Sequence, residues 1–123
     1  MINRKSRSGS ADLSEAQLRL EARGIQLVRL PANCPEELNG ALTVHGGGAD
    51  LVILAGGDGT LNAAAEGLLR CGRPLGILPM GTANDLARTL GIPTDLAGAC
   101  DVIAQGRTRT IDLGWVNGKH YFN

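Results

Sequence analysis

Apolar and polar positions along this chain follow two periods, and they alternate. Residues 51–55 are an unbroken apolar run containing the β-branched pair Val52 and Ile53, which predicts a strand buried on both faces. Residues 74–79, PLGILP, predict a second short apolar strand, and Ile25, Leu27, Val28 and Leu30 predict a third. Met1 and Ile2 read as the tail of a further strand. Between these runs the composition turns helical over residues 11–23, where Leu13, Ala16, Leu18 and Leu20 give a partly amphipathic face and Ser10 or Asp12 is a candidate cap. Further helices are expected over residues 36–45 and 60–71, after a Gly81 turn within residues 80–90, and over 95–104, the last capped by Asp95. Gly24, Gly46 to Gly48, Gly72, Gly91 with Pro93, and Gly106 supply the stops. From residue 107 the pattern changes to Thr108, Thr110, Ile111, Leu113, Trp115 and Val116, then the hairpin signal Asn117-Gly118 and a return strand from Lys119. Alternating strands and helices predict an α/β fold, a three-layer α/β/α sandwich around a mostly parallel sheet.

The candidate chemistry lies in the turns that follow the strands. Gly56, Gly57 and Gly59 remove three β-carbons from four positions after the first apolar run, with Asp58 as the only charge among them. A strand, a glycine turn and a helix start let a backbone approach an anion closely. The plainer alternative is a tight turn that binds nothing, since glycine serves any left-handed turn. Asp58 favours the first reading, because a carboxylate there is poorly placed for packing and well placed to hold Mg²⁺ or orient a nucleotide. Neither G-x-x-x-x-G-K-[ST] nor G-x-G-x-x-G is present, which argues against a P-loop and a dinucleotide fingerprint. Residues 80–90, MGTANDLARTL, repeat the theme, with Gly81 at the turn, Thr82 as a candidate cap, and Asn84 and Asp85 in the first helical turn. Residues 3–9 are polar and basic: a solvated terminus, or a second phosphate-contacting loop. Ligands of such sheets bind outside the carboxyl ends of the strands, so all three loops are expected to converge there.

Composition narrows the picture further. The chain has 123 residues and zero formal net charge, which argues against nucleic acid as a partner. Aromatics are 2%, so the core must be aliphatic. Cys34, Cys71 and Cys100 show no metal spacing and suit free thiols in a reducing cytoplasm. No segment suits a signal peptide or a membrane span, and contact with a membrane surface stays open.

Gly56-Gly57-Asp58-Gly59-Thr60-Leu61-Asn62 resembles the GGDGT signature of the diacylglycerol kinase catalytic domain. Its superfamily includes sphingosine kinases, bacterial lipid kinases, NAD kinases and phosphofructokinases. Gly81-Thr82-Ala83-Asn84-Asp85-Leu86-Ala87-Arg88 is similar to a second motif, GTxNDFAR, that marks the lipid-kinase branch. Residues 3–9 resemble the family's N-terminal NPxSG-type loop, and Ile111-Asp112-Leu113-Gly114 with Phe122-Asn123 resembles the crossing into a second domain. The resemblance implies a nucleotide-binding domain over residues 1–106 and a hairpin over 107–123 leading toward an absent β-rich domain. It implies ATP held by Asn3, Arg4, Lys5, Ser6 and Arg7, by Gly56, Gly57, Asp58, Gly59, Thr60, Leu61 and Asn62, and by Gly81, Thr82, Asn84 and Asp85. Asp58 would be the essential carboxylate and the Mg²⁺ ligand, and Thr60 and Thr82 would be hydroxyl donors to phosphate. The γ-phosphate would pass to a lipid hydroxyl, largely by positioning and charge neutralisation.

The chain departs from the family at Arg4, where proline is common, and at Ala63, where many relatives carry an acid. The family's lipid site and general base lie in the second domain, so a truncated chain that does not phosphorylate lipid efficiently on its own is expected. Unpaired edges would favour a homodimer. The alternatives are an NAD or other small-molecule kinase using the same GGDGT site, which the GTAND motif speaks against, and a non-catalytic nucleotide-binding or interaction module.

Overall fold

The computed structural model describes residues 7–32, 34–116 and 118–122. Helix α1 (Arg7–Ala22) leads through an irregular segment to α2 (Leu38–His45) and then to strand β1 (Val52–Gly56). Helices α3 (Asp58–Ala63) and α4 (Ala65–Cys71) follow, then β2 (Leu75–Pro79), α5 (Asp85–Thr89) and α6 (Leu96–Gln105). The chain finishes in an antiparallel hairpin, β3 (Gly114–Val116) with β4 (Lys119–Tyr121). Strands β1 and β2 are parallel neighbours, in register from Val52 opposite Leu75 to Gly56 opposite Pro79.

Side chains of successive β1 residues point to opposite faces, and each face meets its own helices. Val52 and Leu54 enter a core with Leu38 and Leu42 of α2, Leu61 of α3, Leu68 of α4 and Leu86 of α5. Ile53 and Ala55 enter a second core with Leu13, Ala16 and Leu20 of α1 and Ala99, Cys100 and Ile103 of α6. Ile77 and Leu78 of β2 divide in the same way. With both faces covered, neither strand has a solvent side, which is why both read as continuous apolar runs. The core is aliphatic, as the scarcity of aromatics requires. Small residues allow the helices to close on it. A Cβ on Gly76 would lie 3.0 Å from Cγ1 of Ile103 in α6. One on Gly67 would lie 2.9 Å from Cα of Asn39, whose Oδ1 accepts the Gly67 N–H at 2.7 Å.

Several expectations are corrected. Helix α1 begins at Arg7, so Arg7, Ser8 and Gly9 are helical rather than loop, and Asp12 lies inside the helix rather than at its cap. Asn3, Arg4, Lys5 and Ser6, with Met1 and Ile2, lie outside the described residues. Residues 25–30 form no strand among the described residues. Ile25 and Leu27 pack on one core and Leu30 on the other, while Val28 is exposed. Alternation satisfies burial there, but a strand also needs a ladder partner, which alternation does not provide. The helix expected over 60–71 starts at Asp58 and divides at Ala64. The triple glycine continues α2 as a short 3₁₀ turn, and Gly46 allows close packing, since a Cβ on it would stand 2.9 Å from Cβ of Cys71. Asp95 caps α6, its Oδ2 accepting the Gly98 N–H at 2.8 Å, and Gly72 and Gly106 end α4 and α6 with φ of 65° and 71°. Among the described residues no helix is long and apolar enough to cross a membrane.

Candidate active site at the paired glycine turns

Because β1 and β2 are parallel and in register, their carboxyl ends stop side by side. The two turns that follow must therefore touch. Gly57 faces Gly81 so closely that a Cβ on Gly57 would lie 2.8 Å from Cα of Gly81, and a Cβ on Gly81 would collide with Cα of Gly57. Two glycines are thus required by each other, before any ligand is considered. Gly56 has a different neighbour: a Cβ there would meet Oγ1 of Thr60 at 2.8 Å. Thr60 is accordingly buried beneath the turn, with 7% exposure. Gly59 has open space around its Cβ position. Packing therefore does not require glycine at that position.

Asp58 opens α3 and reaches across to the second turn. Its Oδ2 accepts the Asp85 N–H at 2.9 Å and its Oδ1 accepts the Leu86 N–H at 3.2 Å. The carboxylate therefore caps α5, whose own N-cap residue, Asn84, makes no side-chain cap bond. Thr82, the cap expected from the sequence, is exposed and stands outside that helix. Asn84 instead holds the turn: its Oδ1 accepts the Gly81 N–H and its Nδ2 donates to the Gly81 carbonyl, both at 2.9 Å. It does so with φ 53° and ψ 47°, the left-handed conformation that Asn tolerates better than most residues. Arg88 closes the loop from below, its Nε donating to the Ala83 carbonyl at 2.7 Å. The result is a cross-braced turn in which Thr82 and Ala83 are exposed.

Helix α3 makes one further connection. Asn62 Oδ1 accepts the Phe122 N–H at 2.7 Å, tying the helix to the residue after β4. Asp58 and Asn62 are four apart and share a face of α3, so one short helix gathers β1, the second turn and the C-terminal segment.

Of the residues expected at the site, Gly56, Gly57, Asp58, Gly59, Thr60, Gly81, Thr82, Asn84 and Asp85 come together at the ends of β1 and β2. Leu61 is buried in the core at 2% exposure, and Asn62 is turned toward Phe122. Arg88 is a positioning residue that carried no assignment, although it stands within the GTANDLAR motif. A cavity of about 520 Å³ opens beside the second turn, lined by Asp12, Glu15 and Arg19 of α1 and by Met80, Gly81 and Asn84. Its α1 wall is not visible in the sequence, because only the fold brings that helix beside the end of β2.

Among the described residues no group of three or more His, Cys, Asp or Glu could hold a metal ion by itself. A divalent cation carried on substrate phosphates needs only one or two carboxylates. Asp58 fits that role: each oxygen accepts one amide and keeps acceptor capacity, and the exposed Asp85 is adjacent.

The family model for the diacylglycerol kinase catalytic domain matches residues 1–116. A diacylglycerol kinase of Staphylococcus epidermidis is 49% identical over 76 residues, which is 60% of this chain and 24% of that protein. One from Staphylococcus aureus is 47% identical over the same length and shares. A solved structure described as a putative diacylglycerol kinase from Bacillus anthracis aligns with a TM-score of 0.87 and 32% identity, covering 99% of this chain and 43% of that one. The matched stretch is thus about a quarter of the length of the curated relatives. The chain belongs to the diacylglycerol kinase catalytic domain family.

Proposed function

We propose that this chain is the nucleotide-binding part of a lipid kinase that passes the γ-phosphate of ATP to a lipid hydroxyl. The observation that carries the reading is the contact of Gly57 with Gly81, bridged by Asp58, at the adjacent carboxyl ends of two parallel strands. Phosphates approach the backbone where Gly59 leaves space, and the exposed Thr82 offers its hydroxyl from the second turn. Asp58 would be the principal protein ligand of Mg²⁺ and Asp85 the second candidate, and the ion would supply charge neutralisation at the phosphates. Asn84 and Arg88 hold the second turn in place, and in this reading Asn3, Arg4, Lys5, Ser6 and Arg7 would supply positive charge and hydrogen-bond donors to the phosphates. The work of these residues is positioning and electrostatics.

In this reading residues 1–106 form a three-layer α/β/α domain, and 107–123 lead toward a β-rich part that binds the lipid acceptor and carries the general base. Acceptor binding is assigned to the portion of the relatives' length that this chain does not span, and the proposed place of action is the cytoplasmic surface of a membrane, where ATP and a lipid acceptor meet. Calorimetric titration tests the nucleotide half. Saturable binding of ATP in Mg²⁺ that is lost in chelator is expected; no binding by folded protein, or binding indifferent to Mg²⁺, would overturn it.

A further inference from the structure

We propose that Asn62 is a positioning residue that transmits nucleotide occupancy from the glycine turn to the C-terminal hairpin. The inference rests on the nucleotide site proposed above, and its evidence is independent of the motif. Asn62 was expected among the phosphate-contacting residues, yet its Oδ1 is occupied by the Phe122 N–H at 2.7 Å. It sits one helical turn after Asp58 on α3, a helix of only six residues, so the two side chains move with one rigid element. Asp58 holds the second turn and Asn62 holds the end of β4. The Phe122 ring packs against the core that contains Leu61, Leu68 and Leu86, and β4 rests on α4. Any displacement of α3 on nucleotide binding is therefore carried to residue 122, and through it to the β3–β4 pair. In a two-domain kinase this couples ATP binding to the segment that faces the acceptor.

Amide hydrogen exchange tests the coupling on this chain, with wild type and Asn62→Ala each measured with and without MgATP. Alanine is a good helix former at this exposed position, so the fold is retained. Without nucleotide, Asn62→Ala is expected to speed exchange at Phe122 roughly fivefold, the loss of one exposed hydrogen bond. Asn62→Asp, which keeps an acceptor oxygen, is expected to stay near wild type. With MgATP, wild type should slow exchange at the glycine turns and also at Phe122 and β4. Asn62→Ala should show that slowing at the turns alone. Equal slowing at Phe122 in both proteins would overturn the inference while leaving the nucleotide site intact. No slowing anywhere in wild type would overturn the nucleotide site and the inference with it.

Discussion

The backbone amide of Asp85 donates to the carboxylate of Asp58 at 2.9 Å, across 27 positions of sequence. The two motifs of this family are therefore one structural unit: the acid of the first caps the helix of the second. Asp58 consequently has a folding role, which substitution can separate from the metal-binding role proposed for it.

Asp58→Ala leaves two amides at the start of α5 without their acceptor, and is expected to cost about 1–2 kcal/mol in urea denaturation. Asp58→Asn keeps one acceptor oxygen and should cost about half that, while losing the charge that a metal ion needs. Equal loss of stability in both variants would show that the carboxylate contributes through its charge alone.

The glycines of the two turns should divide by cause. Gly57→Ala drives a methyl into the Gly81 backbone at 2.8 Å, so the strand ends must part, at a cost of about 1–3 kcal/mol. Gly59→Ala meets open space inside a helix and is expected to leave stability unchanged or raise it by up to ~1 kcal/mol. A weakened affinity for MgATP in that stable variant would mark Gly59 as a ligand-contact position, and wild-type affinity would remove it from the site.

Asn84 combines a left-handed backbone with a two-way clasp on Gly81. Asn84→Gly keeps the backbone and loses the clasp, for an expected cost of about 1–2 kcal/mol. Asn84→Ala loses both and should cost about 1 kcal/mol more. Thermal melting that ranks Ala at or above Gly would contradict the assignment of φ as part of this residue's role.

Burial raises the Cys100 thiol above its ordinary value, with the neighbouring Asp101 adding to the effect and Arg19 opposing it. The folded state then holds this proton more tightly than the unfolded state does. Its contribution to stability is complete below the thiol's unfolded pKa, about 8.5, and is lost as pH rises toward the raised folded value. Stability measured from pH 8 to 10 should fall more steeply in wild type than in Cys100→Ala, whose baseline is lowered by the cavity it leaves. Parallel slopes would contradict this.

The sequence made most of the fold legible because the strongest signals were local ones. The apolar runs at 51–55 and 74–79, the Asp95 cap and the glycine stops at Gly72 and Gly106 each depend on a few neighbours; the strands form one residue later at their starts, at 52–56 and 75–79, and the cap and stops stand where expected. The irregular course of residues 25–30 was not legible, since pairing is a property of the partner rather than of the alternating segment. The residues that converge at the ends of β1 and β2 were legible as motifs, but their contacts were not. That Asp58 caps α5, that Asn62 faces Phe122, and that Gly57 needs Gly81 all follow from the parallel register of β1 and β2 and the packing around it.

If the two glycine turns form one phosphate site, as proposed, amide chemical shifts followed during a MgATP titration of this chain will reveal it. The largest shifts are expected to fall together at residues 56–60 and 81–85 and to saturate with a single affinity. Shifts confined to one turn, or centred on the apolar groove lined by Leu75, Leu90, Ile111 and Phe122 instead, would contradict it.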